Sequence, residues 1–284
     1  MNQTTRGSFP KPFVVTVGMA KGGSCKTWWA LNLASALGLA GYRVVAVDLN
    51  PQHDLAADYQ ILLEQGLWPR FEVLSHDILG GNWNAEPDLR PYQAFDFIVY
   101  DTPQFLDFPA IRFAWANCHL MLAPFTPDCA DLKNYAAAVR QYQALPGERG
   151  PIACMPCRVS KLKNNLALGA LNDCLGLMRE LGCEVPDYPQ TFMVDYNAGL
   201  ALQETRWIYG KRSFRGAERA VTRQFLEVVD LNLTWLIMLM QKHYGPLPRP
   251  PLMPIPRDKP AEIRARLAAE SAERTAEFAE REGV

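Results

Sequence analysis

Residues 13–27, FVVTVGMAKGGSCKT, constrain this chain more than any other stretch, because an apolar strand there runs into a glycine-containing loop and then into a helix. Phe13 to Val17 is apolar and β-branched enough for a strand buried on both faces. Gly22 and Gly23 carry no Cβ, so the backbone can turn tightly and aim its N–H groups at an anion. Lys26 supplies a point charge for β and γ phosphates, and the Thr27 hydroxyl is placed as an inner ligand of Mg²⁺. The following helix, Trp28 to Leu39, presents its positive N-terminal end to the same phosphates. The order describes a cradle for a nucleotide's phosphates.

A loop of this kind must be held by a buried sheet, and a chain of 284 residues with 49% hydrophobic content can bury one. The net charge of −1 gives no global attraction to nucleic acid, so DNA binding would have to come from a local patch. Seven cysteines, an odd number scattered through apolar segments, point to reduced thiols. The first twelve residues lack the apolar run of a secretory signal, and no window reaches the roughly 18 apolar residues of a membrane span. Leu231–Met240 comes nearest and reads as a buried helix. A soluble cytoplasmic protein is expected.

Along the chain, residues 1–12 form a polar arm and 13–244 alternate between strand and helix patterns. Apolar residues at 29, 30, 33, 36, 37 and 40 follow helical spacing up to Gly41. Strands are expected over 43–47, 71–74, 97–100, 119–123 and 152–155, with a Pro-rich turn at 124–128. Helices are expected over 53–65, 130–144, 166–181 and 215–243. This alternation predicts one α/β domain, a doubly wound and mostly parallel sheet flanked by helices. Residues 245–260 hold seven prolines in sixteen positions, a stiff linker. The segment 261–284 reads as a charged helix with i,i+4 pairs such as Glu262 and Arg266.

A phosphate loop also needs a carboxylate to organise Mg²⁺ and a group to orient the attacking water, both at strand ends beside it. VVAVDLNPQ, 44–52, and FIVYDTPQ, 97–104, carry the candidates Asp48, Asn50 and Asp101. In the loop itself, Lys21 stands before the glycine pair, and Cys25 occupies the place of the last glycine in the ordinary pattern.

Together these residues resemble the deviant Walker motif, K-G-G-x-x-K-[ST], of the ParA/MinD ATPases. The resemblance implies a P-loop fold, ATP and Mg²⁺ as ligands, and a sandwich homodimer in which Lys21 reaches the partner's nucleotide. Gly22, Gly23, Ser24, Cys25, Lys26, Thr27 and Trp28 then line the nucleotide. Thr27 ligates Mg²⁺, with Asp101 acting on it through water, and Asp48 matches the first Asp of the family's D-x-D-P-Q motif. Two positions depart from the pattern. Asn50 stands where the family's second Asp positions the lytic water, which predicts slow hydrolysis. Trp28 replaces a hydroxyl residue that can touch the α-phosphate, so an indole must stack or pack there instead.

The segment 206–223 holds six basic residues against one acid, and Lys211, Arg212, Arg215, Arg219 and Arg223 are expected to track phosphates, with Lys161 and Lys163 extending the patch. ParA-type dimers bind nonspecific DNA through this region, so nucleoid association in the ATP state is implied. Cys154 and Cys157 lack the further ligands that zinc needs and read as core thiols. The net acidic tail argues against a MinD-type membrane helix. The expected function is a ParA-type ATPase that positions a plasmid or other cargo through a ParB-like or other adaptor. With no helix-turn-helix before the first strand, operator-specific repression is not expected. The alternatives are an ATP-dependent small-molecule synthetase or kinase on the same fold, and a weakly hydrolysing nucleotide-gated scaffold.

Overall fold

Among the residues described by the computed structural model (9–18, 25–64, 69–75, 92–103, 109–125, 129–157, 165–186 and 217–247), six strands form one parallel sheet. They are β1 Phe13–Val17, β2 Val44–Asp48, β3 Glu72–Ser75, β4 Phe97–Asp101, β5 Leu120–Phe125 and β6 Ile152–Pro156, in the spatial order β3-β2-β4-β1-β5-β6. Successive side chains of a strand point to opposite faces, yet every residue of β1, β2, β4, β5 and β6 is buried. Both faces of the sheet are therefore covered. That is why these strands read as unbroken apolar runs rather than alternating ones.

The helices are α1 Lys26–Leu39, α2 Asp54–Glu64, α3 Pro109–Ala116, α4 Cys129–Ala144, α5 Asn165–Glu180 and α6 Ala217–Tyr244. Helix α1 packs over β2 and β4 and beside α2, and it is buried on almost every side. Its two interior polar residues are satisfied within the helix: Asn32 donates to the Trp28 carbonyl and Ser35 to the Leu31 carbonyl, each at 2.8 Å. Gly41 ends it in the left-handed region, φ 89°, with its N–H on the Gly38 carbonyl at 2.9 Å.

Three local findings differ from the sequence reading. Helix α1 starts at Lys26 rather than Trp28, so the lysine and threonine of the motif belong to its first turn. Helix α3 occupies a stretch where the pattern marked no element. Strand β5 runs through Pro124 and Phe125, which the pattern assigned to a turn. The Leu122 carbonyl accepts the Gly18 N–H, so Leu122 and, two residues on, Pro124 face the β1 side. The pairing of β1 with β5 stops at Val17 and Leu122, so the missing N–H of Pro124 leaves no ladder bond unmade.

The last helix is anchored at the opposite end of the sheet from the loop. The Tyr244 hydroxyl donates to the His119 carbonyl at 2.7 Å, and Lys242 and His243 meet Glu184 at 2.7 and 3.0 Å. The linker residues 248–260 and the helix expected over 261–284 lie outside the described residues, as do residues 1–8 of the arm.

Candidate functional site

β1 lies between β4 and β5, so the chain leaves it toward one side of the sheet and later continues on the other. The crevice beyond the carboxyl end of a strand at such a switch point is where open α/β sheets bind ligands. The strand ends there are level: Val17 and Asp48 both stand opposite Asp101. Carboxylates at positions 48 and 101 thus flank the start of α1 because of register.

Lys21, Gly22, Gly23 and Ser24 lie outside the described residues. Cys25 caps α1 with φ 67°, in the left-handed region, and its side chain makes no capping bond. That conformation is what a glycine at this place would adopt freely. Lys26 opens the helix, with burial pushing its ammonium pKa down while the Asp101 charge pulls it back up. The Thr27 hydroxyl donates to Asp101 Oδ2 at 2.7 Å. Trp28 is 2% exposed and sits edge-on to Trp29, ring centroids 4.9 Å apart, so the indole packs into the core.

Asp101 is fully buried, and its other oxygen, Oδ1, has no hydrogen-bond partner among the described residues. Burial first, and the Asp48 charge second, push its carboxyl up to about 7, against the Thr27 bond and the Lys26 charge. A buried carboxylate oxygen of this kind suits a hydrated hard cation. The neighbouring Thr27 oxygen gives its proton to Asp101 and keeps lone pairs for a metal. Two oxygen donors plus substrate phosphates and water match the sparse protein ligation typical of Mg²⁺. No group of three His, Cys, Asp or Glu converges as a metal cage among the described residues.

At the end of β2, Asp48 is engaged by backbone. Its Oδ1 accepts the Asn50 N–H at 2.9 Å and its Oδ2 the Ala56 N–H at 3.0 Å. Burial raises its pKa, with the Ala56 and Asn50 bonds opposing. The Asn50 side-chain oxygen accepts the Gln52 N–H at 3.2 Å, closing a local turn. Of the basic patch, Lys211, Arg212 and Arg215 lie outside the described residues, as do Lys161 and Lys163. Arg219 and Arg223 fall one turn apart in the first part of α6. Cys154 and Cys157 are buried, and the Trp29 indole N–H lies 3.2 Å from the Cys157 sulfur, as core thiols should be placed.

Sequence reading passed over two residues that shape the crevice. Thr102 donates both its N–H and its hydroxyl to the Val17 carbonyl, at 3.1 and 2.9 Å, tying the end of β4 to the root of the loop. A Cβ on Gly18 would come within 3.0 Å of the Thr102 hydroxyl and the Trp115 indole nitrogen. The signal was present in VTVG and DTP, but only the packing of α3 against β1 gives it meaning.

Among solved structures, the chain is similar to pNOB8 ParA bound to nonspecific DNA, at 15% identity and TM-score 0.50, covering 81% of this chain and 98% of that one. It is also similar to a McdA–ATP complex from Cyanothece, at 16% identity and TM-score 0.48, covering 63% of this chain and 82% of that one. A third is cobyrinic acid a,c-diamide synthase from Mycobacterium smegmatis with ADP and magnesium, at 18% identity and TM-score 0.46, covering 58% and 81%. Among curated proteins, a candidate replication protein A of Sinorhizobium fredii is 41% identical over 73 residues, 25% of this chain and 18% of the relative, so the match spans under a fifth of that protein's length. The model of the CobQ/CobB/MinD/ParA nucleotide binding domain matches residues 15–246, from β1 to the end of α6. With that match running from β1 through α1 to the end of α6, this chain belongs to the CobQ/CobB/MinD/ParA nucleotide-binding domain family.

Proposed function

We propose that this chain is a ParA-type ATPase that binds ATP with Mg²⁺, forms an ATP-dependent sandwich dimer through Lys21, and binds DNA nonspecifically to position a plasmid or other cargo. The observation that carries the reading is the bond from the Thr27 hydroxyl to the buried Asp101, at the root of the loop and in register with Asp48. Lys26 opens the helix beside the loop, and a polyanion there would favour its charged form against the burial that lowers its pKa. Thr27 and Asp101 would hold Mg²⁺, which when bound neutralises charge developing on the transferred phosphoryl group. Asp48 acts by holding the 48–56 turn, through its two backbone bonds. Asn50, an amide that accepts no proton, supports slow turnover that an adaptor of ParB-like kind would stimulate. The basic run of 206–223 supports a DNA surface, in keeping with the DNA-bound ParA to which the chain is similar.

The test is an electrophoretic shift of nonspecific DNA with ATP, ADP or no nucleotide, repeated at higher salt and with Lys21→Ala. Binding that needs ATP, weakens with salt and disappears in the variant is the expected result. Absence of binding in every state removes the DNA reading and leaves a small-molecule synthetase or a nucleotide-gated scaffold to account for the site.

A further inference from the structure

On the face of the sheet away from α1, the root of the loop meets helix α3. Asp101 and Thr102 are successive at the end of β4, so their side chains leave on opposite sides. Asp101 turns to Thr27 at the start of α1, and Thr102 turns to Trp115 of α3. Helix α3 is held there at several points. The Thr16 hydroxyl donates to the Ala114 carbonyl at 2.7 Å, the Cys118 thiol to the Trp115 carbonyl at 3.3 Å, and the Trp115 ring lies edge-on to Tyr142 with centroids 6.1 Å apart.

Gly18, Thr102 and Trp115 converge on one point. A Cβ on Gly18 would meet the Thr102 hydroxyl oxygen and the Trp115 indole nitrogen, each at 3.0 Å. Thr102 gives its hydroxyl proton to the Val17 carbonyl and keeps lone pairs for a donor. Trp115 is the complement: it is 2% exposed, and its indole N–H has no hydrogen-bond partner among the described residues. A buried donor left in that condition destabilises the arrangement that holds it. An acceptor with capacity to spare, Thr102 Oγ1, borders the same point, and the missing Cβ of Gly18 leaves the way between them open.

We propose, on the ATPase reading above, that Trp115 is a positioning residue of the nucleotide site, its indole N–H donating to Thr102 Oγ1 when Mg²⁺-nucleotide engages Asp101. Thr102 is joined to Asp101 by one peptide bond, whereas Trp115 is anchored from behind by Thr16, Cys118 and Tyr142, so the strand end moves and the indole waits. Trp115 acts through Thr102 and Asp101, across the sheet from the phosphates. A ligand favours an arrangement only through a differential interaction, and a bond made with nucleotide bound and not without it is one.

The experiment records the indole N–H signals of the ¹⁵N-labelled full-length chain by NMR, with and without Mg²⁺ and a non-hydrolysable ATP analogue. The chain has seven tryptophans, and the signal missing from Trp115→Phe is that of Trp115. On adding the analogue, this signal should move downfield and exchange more slowly with solvent. It should do so in wild type and in Thr102→Ser, which keeps the hydroxyl, and stay in place in Thr102→Val. Trp115→Phe also loses ring volume, so its affinity is read within a double-mutant cycle. Thr102→Val should weaken analogue binding about fivefold more in the wild-type background than in Trp115→Phe, the worth of one hydrogen bond. Should Trp115→Phe fail to fold, one indole signal that moves in wild type and Thr102→Ser but not in Thr102→Val still upholds the proposal. A wild-type protein that binds the analogue with no such signal moving, or with the same movement in Thr102→Val, overturns it and leaves the ATPase reading standing. Failure of the wild-type protein to bind the analogue with Mg²⁺ defeats the ATPase reading itself, and the role of Trp115 falls with it.

Discussion

At Cys25 the backbone holds φ at 67°, a conformation that costs a residue with a Cβ about 1 kcal/mol relative to glycine. Cys25→Gly should therefore be neutral or stabilising by up to about 1 kcal/mol, and Cys25→Val should destabilise by about 1–2 kcal/mol, both read from denaturant midpoints. Asp101 carries the sharper consequence. Its folded-state pKa lies near 7, above the ordinary carboxylate value, because burial and Asp48 favour the neutral form. A cation can use Asp101 only after the proton leaves, so affinity for Mg²⁺-nucleotide should climb toward pH 7 and level off above it. In Asp101→Asn the affinity should be weak and flat across the same range, as titration with a fluorescent analogue would show. For the nucleotide-free protein the sign is opposite. The stability tied to this raised pKa is full below the unfolded value and is lost as pH rises through about 7, so wild type should lose more stability than Asp101→Asn between pH 5 and 8. The residue types at 27 and 101 were legible in the sequence as a hydroxyl and an acid at motif positions. That they bond at 2.7 Å, with one acid oxygen left buried and without a partner among the described residues, follows only from strand register.

Helix α1 is an element whose pattern gave its existence but hid its surroundings. An amphipathic stripe would leave a polar face, yet α1 is buried nearly all round, and its Gly38 passes so close to the backbone of residue 70 that a Cβ would overlap the Arg70 carbonyl. Gly38→Ala should destabilise by about 2–3 kcal/mol in chemical denaturation, despite alanine's better helix propensity, because the carbonyl cannot yield as a flexible side chain would. At the far end of the sheet, the Val14 N–H donates to His119 Nδ1 at 2.9 Å, and burial holds the His119 pKa below its usual value. Stability from this group is present above the unfolded pKa of about 6.5 and is lost as pH falls through the lower folded value. Thermal unfolding should therefore fall more steeply between pH 7 and 5 in wild type than in His119→Asn, whose side-chain oxygen accepts the same bond at every pH. The ring also stacks on Phe13 and its carbonyl takes the Tyr244 hydroxyl, so β1, β5 and α6 feel this titration together.

For the whole molecule, a ligand that binds only the folded state stabilises it by about 2.7 kcal/mol at a hundredfold excess over Kd. ATP with Mg²⁺ should raise the melting temperature accordingly, and Lys26→Ala should remove most of that rise by differential scanning fluorimetry. Absence of any shift in the wild-type protein would count against nucleotide binding at this loop.

Fold class was readable because a parallel sheet covered on both faces demands continuous apolar strands, and β1, β2, β4, β5 and β6 are written that way. Their boundaries fell within a residue or two of the pattern, except at Pro124, where the end of a neighbouring strand, invisible in sequence, removes the need for an N–H. The candidate phosphate loop was read for a similar reason, since glycine pair, lysine and hydroxyl are each required by anion chemistry at fixed spacing along a short stretch, though residues 19–24 lie outside the described residues. The amino-acid sequence by itself therefore determined the fold class and the order of the strands, which depend on near neighbours in the chain, while α3 stayed hidden in it. Only the tertiary structure decided that Asp48 is consumed by backbone bonds and that Thr102 and Gly18 close the root of the crevice. Those facts depend on register between β1, β2 and β4, which brings residues tens of positions apart to one level, and register is set by the packing of the whole sheet.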